Sequence, residues 1–328
     1  MKVAVIGGVR STEVLIRKLH DHGFAELRVW GYAPADPRIV SGWADLGALC
    51  KGLGIAYQPF VKLAQCEDDL RRFEPDLLFA VGLSQILSPA LLAIAATETI
   101  GFHPTALPRG RGRAAIAWIV LDGCPGAATF FGIREGVDDG PIYAQRPFAV
   151  DADDDASTVE ARLLQAEDEL LDEWLPAVAA GKLTPAEQDE TAATWYGRRL
   201  PEDGWIDWAM PAESVLKLIR ASTRPHPGAL TAAGAIPVTI WSAQTDPRPE
   251  KGVAGRILQV DGDQQFTIQT GSGLLRVTKW SAEQQWGPKV GARLGYGADA
   301  EIFQLRARCS ELERAVAALV KQLQRDAP

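Results

Sequence analysis

Apolar residues in the first half of the chain come in short runs that amphipathic stretches separate. The run at 76–82 is continuous, which is typical of a strand buried on both faces of a sheet. Strands that alternate with helices in this way predict a doubly wound α/β sheet with right-handed crossovers. We expect strands at 2–7, 26–32, 55–60, 76–82, 99–103 and 127–134, and helices at 11–22, 43–53, 67–73, 88–96 and 113–122.

Two helices carry start signals in the sequence. Ser11 or Thr12 is placed to cap the first helix. Ser157 and Glu160 have the spacing of a capping box, and a long helix at 158–179 is expected after them. An acidic run before this helix favours a solvated turn whose charge suits a helix N-terminus, with metal binding as the alternative. The run consists of Asp151, Asp153, Asp154 and Asp155.

The pattern changes at about residue 205. Short β-like stretches are separated there by Gly, Pro and Asp-Gly turns, which indicates a small β-rich second domain. We therefore predict an α/β domain over 1–204, a β-rich domain over 205–297 and a terminal segment over 298–328. The expected strands of the second domain lie at 237–242, 254–260, 265–270 and 273–280.

The terminal segment is predicted to be a helix with heptad spacing. Its apolar residues recur at steps of three and four over about three heptads, which is the seam of a coiled coil. A stripe this narrow favours a partner helix, most simply a second copy in a homodimer; a helix that packs back on its own chain is the alternative. The seam residues are Ile302, Leu305, Cys309, Leu312, Val316, Leu319 and Leu323.

The charge balance argues against a nucleic-acid partner. The 328 residues carry 34 basic and 42 acidic side chains, a formal net charge of −8. Residues 1–204 hold −11, residues 205–297 hold +3 and residues 298–328 are neutral. Because polyanion binding needs a strongly basic surface, we expect a small-molecule substrate instead.

The four cysteines are scattered along the chain without a C-x-x-C pair. This spacing predicts free, mostly buried thiols rather than a zinc or redox site, and we expect no metal. The first apolar run is too short for a secretory signal, and no stretch approaches the roughly 18–20 apolar residues of a membrane span. We therefore expect a cytoplasmic protein without a membrane partner. The cysteines are Cys50, Cys66, Cys124 and Cys309.

The first glycines do not form a dinucleotide-binding motif. Gly7 and Gly8 follow the first strand, but the later glycines of G-x-G-x-x-G are missing. Backbone N–H groups at the start of the next helix, together with Arg10 and Ser11, could still hold an anionic group. A plain tight turn is the alternative.

The stretch 99–118 contains the clearest candidate chemistry. His103, one of only four histidines, stands at the end of a predicted central strand, where sheets of this type bind ligands. A loop with three glycine-spaced arginines follows it. Asp138 and Asp139 lie in a glycine-flanked turn after another strand. A His and an Asp that meet in one cleft can perform general acid–base catalysis.

Two spaced motifs carry a family resemblance. The first has the pattern H-P-x-x-L-P-x-x-R-G-x-A-x-x-x-W, and the second, about 25 residues later, is G-x-D-x-G-x-I-x-x-Q. Together they resemble the folate-dependent N-formyltransferases, which include methionyl-tRNA formyltransferase, glycinamide ribonucleotide formyltransferase and the sugar N-formyltransferases. The matching residues are His103, Pro104, Leu107, Pro108, Arg111, Gly112, Ala114 and Trp118, then Gly136, Asp138, Gly140, Ile142 and Gln145.

The resemblance covers about residues 1–297 and implies a Rossmann-like formyltransferase domain followed by a β-rich, OB-like domain. It implies transfer of a formyl group from N10-formyltetrahydrofolate, the co-substrate, to a primary amine. His103 and Asp138 correspond to the family's catalytic His and Asp. His103 is expected to stabilise an oxyanion or shuttle a proton, and Asp138 to orient it and accept protons. The implied folate-contacting loop is Val81, Gly82, Leu83, Ser84, Gln85 and Ile86.

One position departs from the family pattern. The family has an Asn two residues before the His, where this chain has Gly101. Loss of one oxyanion donor typically costs a factor of about 10²–10³ in rate. Three explanations stay open: a donor such as Gln85, Ser84 or a backbone N–H replaces it, the enzyme is slow or has altered chemistry, or the protein is a non-catalytic relative that binds folate or another ligand.

The arginines of the loop that follows His103 favour a sugar substrate. This loop, residues 104–113, is called the His loop below. The sugar-type members often have R-G-R, as at 111–113, and arginine donors suit the diphosphate of a nucleotide-linked sugar. We expect a nucleotide-linked amino sugar of surface-polysaccharide biosynthesis. Methionyl-tRNA is the runner-up substrate, and a catalytically weak folate- or sugar-binding protein is a further hypothesis. The expected substrate-binding residues are Arg10, Ser11, Thr105, Arg109, Arg111 and Arg113.

Overall fold

Side chains of the first strand alternate between two hydrophobic cores, one on each face of a seven-stranded sheet. In the computed structural model, which describes residues 1–83, 85–262 and 264–325, Val3 and Val5 pack into one core, while Ala4 and Ile6 pack into the other. Successive side chains of a strand point to opposite faces, so helices must cover both. The predicted doubly wound α/β fold is confirmed.

The strands of the chain are numbered in sequence order. They are β1 (Lys2–Gly7), β2 (Glu26–Tyr32), β3 (Ala56–Phe60), β4 (Leu77–Val81), β5 (Glu98–Thr105), β6 (Arg111–Gly112), β7 (Gly126–Gly132), β8 (Ile142–Pro147), β9 (Trp195–Tyr196), β10 (Ala229–Ala233), β11 (Ile236–Asp246), β12 (Ile257–Val260), β13 (Phe266–Gln269) and β14 (Leu274–Ala282).

The α-helices are numbered in the same way. The predicted helix at 88–96 has only four residues, and the helix Ala212–Ser222 was not predicted. The helices are α1 (Arg10–Asp21), α2 (Leu46–Leu53), α3 (Glu67–Phe73), α4 (Pro89–Leu92), α5 (Ala115–Asp122), α6 (Ala156–Ala179), α7 (Ala212–Ser222) and α8 (Ala298–Arg325).

The large sheet is mixed rather than wholly parallel. Its order is β3-β2-β1-β4-β5-β7-β8, and the pairs from β3 to β5 are parallel. The last two strands run antiparallel to their neighbours, and β8 was not predicted. Because β7 runs against β5, the residues that follow β7 begin at the edge opposite to the carboxyl end of β5.

The start of α1 is held by a threonine side chain, but neither predicted residue is the N-cap. Val9 occupies the N-cap position. The Thr12 hydroxyl accepts the N–H groups of Gly8 and Val9 and donates to the carbonyl of Val81 at 2.9 Å. This contact ties the helix start to the end of β4, at the carboxyl edge of the sheet.

The N-cap of α6 is Asp155, which corrects the prediction for Ser157. Its carboxylate accepts the N–H groups of Ser157 and Thr158 at 2.9 and 3.0 Å. Asp155 precedes the helix, so its carboxylate can reach the free N–H groups of the first turn. Ser157 lies inside the helix and is not placed to accept them. The rest of the acidic run is engaged in ion pairs, in which Asp153 contacts Arg220, and Asp151 and Asp154 contact Arg162.

The region after residue 205 contains the predicted β-rich structure. Its sheet has the order β10-β11-β14-β13-β12, and the pairs β12–β13 and β13–β14 are antiparallel. The chain divides into two compact units. The first consists of Met1–Trp205, Leu216–Ala229 and Ile240–Ala243, and the second of Ile206–Val215, Leu230–Thr239 and Gln244–Pro328.

The terminal helix α8 presents its predicted seam to solvent. The described side chains of the seam are exposed, and the side chain of Leu323 lies outside the described residues. The predicted free thiols are confirmed for all four cysteines, of which Cys309 on α8 is the exposed one. No helix in the described part of the chain is both long and apolar enough to cross a membrane.

Candidate active site

His103 lies near the carboxyl end of β5 and is almost wholly buried. Its side chain is 7% exposed. Its Nε2 atom lies 2.8 Å from the carbonyl oxygen of Gly110, in the loop that follows the strand. Because a carbonyl only accepts, Nε2 must carry a proton, and the other nitrogen, Nδ1, is left to face the rest of the site.

Asp138 reaches His103 from a loop that folds back over the sheet. The loop begins after β7 at the opposite edge, and a left-handed backbone conformation at Asp138, with φ of 51°, lets it turn. The Oδ2 atom of Asp138 accepts the N–H of Gly112 at 2.8 Å and lies 3.5 Å from Nδ1 of His103. The structure therefore brings the two predicted catalytic residues together.

The facing atoms of the His103–Asp138 pair do not form a hydrogen bond of normal length. At 3.5 Å the two atoms are slightly beyond a normal N–H···O hydrogen bond of about 2.7–3.2 Å. Catalytic hydrogen bonds are commonly loose before substrate binds and shorten in the complex. Asp138 is the more open member of the pair, at 20% exposure against 7% for His103.

A segment far along the sequence supports Asp138. This segment, residues 188–197, follows α6 and contains β9, which pairs in parallel with β6. The Gln188 side chain donates to the carbonyl oxygens of Asp138 at 2.8 Å and Gly140 at 2.6 Å. The Thr194 hydroxyl accepts the N–H of Gly110 at 2.9 Å. The 188–197 segment thus holds the loop that carries Asp138 and the loop to which His103 is hydrogen-bonded.

Arg111 is part of this support and is not an open substrate contact. It is 2% exposed, and its guanidinium donates to Gln188 and Glu190 while lying over the ring of Trp195. The hydrogen bond from Arg111 lowers the pKa of the Glu190 carboxyl. The prediction that Arg111 binds substrate does not fit this placement, because its donors are satisfied within the chain.

The other polar residues of the His loop differ in accessibility. Thr105 is buried, and its hydroxyl donates to the carbonyl of Arg109 at 2.8 Å, so its predicted role in substrate binding does not fit either. Arg109 and Arg113 are exposed on the same loop. These two arginines are the ones placed where an anionic ligand could reach them.

The two residues predicted at the start of α1 also differ. Arg10 is half-exposed and forms an ion pair of 2.8 Å with Glu160. Ser11 is buried beside Glu167, a wholly buried carboxyl whose pKa burial raises well above its ordinary value. Ser11 therefore faces the protein interior, and the prediction that it binds substrate does not fit its position. Arg10 stays a candidate.

The predicted folate loop follows β4 beside the His loop. Ala80 pairs with Gly101, so Gly82 and His103 each lie two residues beyond that pair. Gly82 has φ of 66°, and a Cβ there would lie 2.0 Å from Val9, so the loops after β1 and β4 pack directly together. The predicted residue Ser84 lies outside the described residues.

The remaining loop residues each have a different environment. Val81 is buried in the sheet, Leu83 packs against the second core, and Ile86 is 93% exposed. The Gln85 side chain is occupied elsewhere, since it accepts the N–H of Leu63 and donates to the carbonyl of Val61 at 3.0 Å. Gln85 is therefore not free to replace the missing oxyanion donor.

The space beside Gly101 is already filled. A Cβ at this position would lie 2.9 Å from Cγ1 of Ile133 and 3.0 Å from Cε1 of Phe131. Both distances are too short for a real Cβ contact without movement of these side chains. Apolar side chains therefore occupy the place that an Asn side chain would need, and the glycine is matched to its surroundings.

Gln145, in the second motif, forms hydrogen bonds that connect the two motifs. From β8 its amide donates to the carbonyl of Leu107 and to the hydroxyl of Thr129, each at 3.1 Å. The second motif thereby fixes the loop of the first. Gln188 and Glu190 are the supporting residues that the sequence did not indicate, because neither belongs to a motif and their partners lie 77 and 79 residues away.

The site and the fold define an α/β protein with a His–Asp pair at the carboxyl edge of a mixed sheet. Two family models match the chain: formyl transferase over residues 57–175, and formyl transferase, C-terminal domain, over residues 200–286. Together they cover more than half of the chain. The chain belongs to the formyl transferase family.

Solved structures share this fold at low identity. HypX from Aquifex aeolicus, in complex with tetrahydrofolic acid, is 19% identical over 89% of the chain, with a TM-score of 0.64; the chain spans only 46% of HypX. An N-formyltransferase from Helicobacter canadensis, in complex with folinic acid and dTDP-3-aminofucose, is 14% identical over 86% of this chain and 100% of its own, with a TM-score of 0.61. A 4-N formyltransferase from Francisella tularensis is 18% identical over 71% and 93%, with a TM-score of 0.57.

Proposed function

We propose that this protein transfers a formyl group from N10-formyltetrahydrofolate to the primary amine of a nucleotide-linked amino sugar used in surface-polysaccharide biosynthesis. The observation that carries the proposal is the His103–Asp138 pair at the carboxyl edge of the sheet. Similar folds that were solved with folates and with a dTDP-linked amino sugar support the choice of both substrates.

The proposed reaction needs one proton to be moved. The amine nitrogen bonds to the formyl carbon and loses a proton, and the bond from that carbon to N10 of the folate breaks, with N10 gaining a proton. Asp138 accepts the proton from the amine, because its carboxylate is more open than the imidazole of His103. His103, with Nε2 fixed on Gly110, uses Nδ1 to share that proton with the carboxylate.

This geometry favours the proton-shuttle role of His103 over the role of oxyanion donor. Its Nε2–H is directed at the Gly110 carbonyl, and Nδ1 faces Asp138, so neither nitrogen is available for a third partner without movement. Among the explanations for Gly101, a donor from the main chain therefore gains support over a donor from Gln85. Gly101 itself offers no space for an inserted side chain.

The surface around the pair suits the two proposed substrates. Ile86, exposed on the loop after β4, offers an apolar contact for a folate ring system, and the glycine at 82 keeps that loop close to the start of α1. Arg10, Arg109 and Arg113 supply positive charge for a diphosphate. Methionyl-tRNA would need a stronger basic surface than the +3 of residues 205–297.

A substrate panel tests the proposal. The purified protein is incubated with N10-formyltetrahydrofolate and, separately, with dTDP-, UDP- and GDP-linked amino sugars and methionyl-tRNA, and release of tetrahydrofolate is measured. Multiple turnover with an amino sugar nucleotide supports the proposal. Turnover with methionyl-tRNA alone, or folate binding without turnover on any acceptor, overturns it.

A further inference from the structure

The exposed face of α8 has the composition of a specific coiled-coil seam. In heptad terms Ile302, Cys309 and Val316 are at the a positions, and Leu305, Leu312 and Leu319 are at d. All six side chains are exposed in the single chain. An apolar stripe along a helix of 28 residues is unstable in water without a partner.

The choice of residues at the a and d positions indicates the number of strands. Two of the three a residues are β-branched, and all three d residues are leucine. This combination favours two parallel helices, because a β-branched side chain at a and leucine at d fit the holes of a parallel dimer. The seam therefore fits one partner helix, and the charges beside the seam bear on its direction.

The charges beside the seam agree with a second copy in register. In a parallel pair, each g residue faces the e residue five positions later on the other helix. Glu301 would then face Arg306 of the second copy, and Arg308 would face Glu313 of the second copy. Both pairs have opposite charge. The next pair, Ala315 with Val320, is apolar and extends the seam.

We propose that α8 forms a parallel, in-register, two-stranded coiled coil with α8 of a second copy of this chain. The homodimer brings two formyl transferase chains together through residues outside both family-model matches. The second of these matches ends at residue 286. The proposal is independent of the acceptor substrate, because it uses only the terminal helix.

Cys309 provides a direct readout of the orientation. It is exposed at an a position near the middle of the described seam. In a parallel, in-register pair the two Cys309 residues face each other across the a layer, within the Cα separation of about 4.4–6.8 Å that a disulfide needs. In an antiparallel pair a residues face d residues, so Cys309 would face a leucine of the other helix.

The first experiment is oxidation of the full chain with diamide, followed by electrophoresis without reductant. Wild type should give a covalent dimer, and the matched variant Cys309→Ser/Ser310→Cys, which moves the thiol off the seam, should give little. Equal cross-linking of the two proteins would overturn the parallel register. So would cross-linking that requires Leu312→Cys to pair with Cys309.

The second experiment is sedimentation equilibrium of the reduced chain at micromolar concentration. Wild type should have twice the 35.4 kDa mass of one chain. Leu312→Glu should be monomeric, whereas Ala307→Glu, on the outer face of the same helix, should remain dimeric. A monomeric wild type, or a dimer that persists in Leu312→Glu, would overturn the proposal.

A charge swap tests the register within the dimer. Arg308→Glu should raise the dimer dissociation constant about threefold to tenfold, since it places like charges at two symmetry-related contacts. Addition of Glu313→Arg should restore the wild-type constant. A double variant that binds as weakly as the single one would contradict the proposed pairing of Arg308 with Glu313.

Discussion

The polar side chains around His103 are paired within the chain, whereas the described side chains of the terminal helix are exposed to solvent. Around His103, polar groups are paired within the chain: Arg111 with Glu190, Gln188 with the backbone at Asp138, and His103 with Gly110. On α8, described side chains from 301 to 322 are exposed. The first region is held together by contacts within one chain, whereas the exposed face of α8 is the surface that we propose a second chain covers.

Replacement of Asp138, the proposed catalytic carboxylate, should have the largest effect. We expect Asp138→Asn to lower kcat by about 10²–10⁴, because Asn keeps an acceptor for the Gly112 N–H and tolerates the left-handed backbone, but cannot take the proton. Tetrahydrofolate release measures this. Glu135→Gln, an exposed carboxylate on the same loop, is the control. Wild-type kcat in Asp138→Asn would remove this residue from the mechanism.

Removal of the support behind Asp138 should have an intermediate effect. Gln188→Ala deletes both hydrogen bonds to the carbonyls at 138 and 140, and we expect kcat to fall about 10- to 100-fold through misplacement of the carboxylate. The KM for the folate should change little. Gln165→Ala, an exposed glutamine on α6, should have wild-type kinetics. An equal loss in both variants would argue against a specific role.

Because the space at Gly101 is filled, we expect the family's Asn to be unfavourable at this position. Gly101→Asn should not raise the rate and should lower the free energy of unfolding by about 1–3 kcal/mol, because the new side chain must displace Phe131 and Ile133. Chemical denaturation measures this loss. Ala307→Asn on exposed α8 should be nearly neutral by comparison. A faster, equally stable Gly101→Asn would show that the site lacks a donor and has room for one.

Replacement of the buried carboxyl of Glu167 should have the smallest effect, a change in thermal stability that depends on pH. Burial raises the pKa of Glu167, so the folded state holds its proton more tightly than the unfolded state. Its contribution to stability is complete below the unfolded pKa of about 4.3 and is lost as pH rises through the folded pKa. Glu167→Gln should therefore raise Tm more at pH 8 than at pH 5.

Calorimetry at the two pH values checks this difference, with about 2–4 °C expected for each kcal/mol. Glu311→Gln on α8 is the control, since that carboxyl is exposed, and it should show no pH-dependent gain. A gain for Glu167→Gln that is equal at both pH values would mean that the effect is packing and not ionisation.

The central sheet could be predicted from the sequence because continuous apolar runs mark buried parallel strands. The edge strand β8 has no such run, since IYAQRP mixes apolar and polar residues that are all half-buried or exposed. The helix predicted at 88–96 has only four residues in the structure, Pro89–Leu92. Such boundaries depend on tertiary contacts that a local pattern does not contain.

The proximity of His103 and Asp138 could be predicted, because their residue types and motif spacing coincide; their catalytic role stays a prediction. Arg111 could not be assigned correctly, because a glycine-spaced arginine has the same local sequence whether it binds a ligand or an internal carboxylate. Its partner Glu190 is 79 residues away and becomes a neighbour only when β9 pairs with β6. The same distance in sequence hid the role of Gln188.

The most direct test of the account is a double-mutant cycle between Gln188 and Asp138, read as single-turnover formyl transfer to the acceptor that the panel identifies. If Gln188 acts by holding Asp138, Gln188→Ala should slow the wild type about 10- to 100-fold but change the rate of Asp138→Asn less than twofold. A full additional loss in the double variant would contradict the account, because the two residues would then act independently.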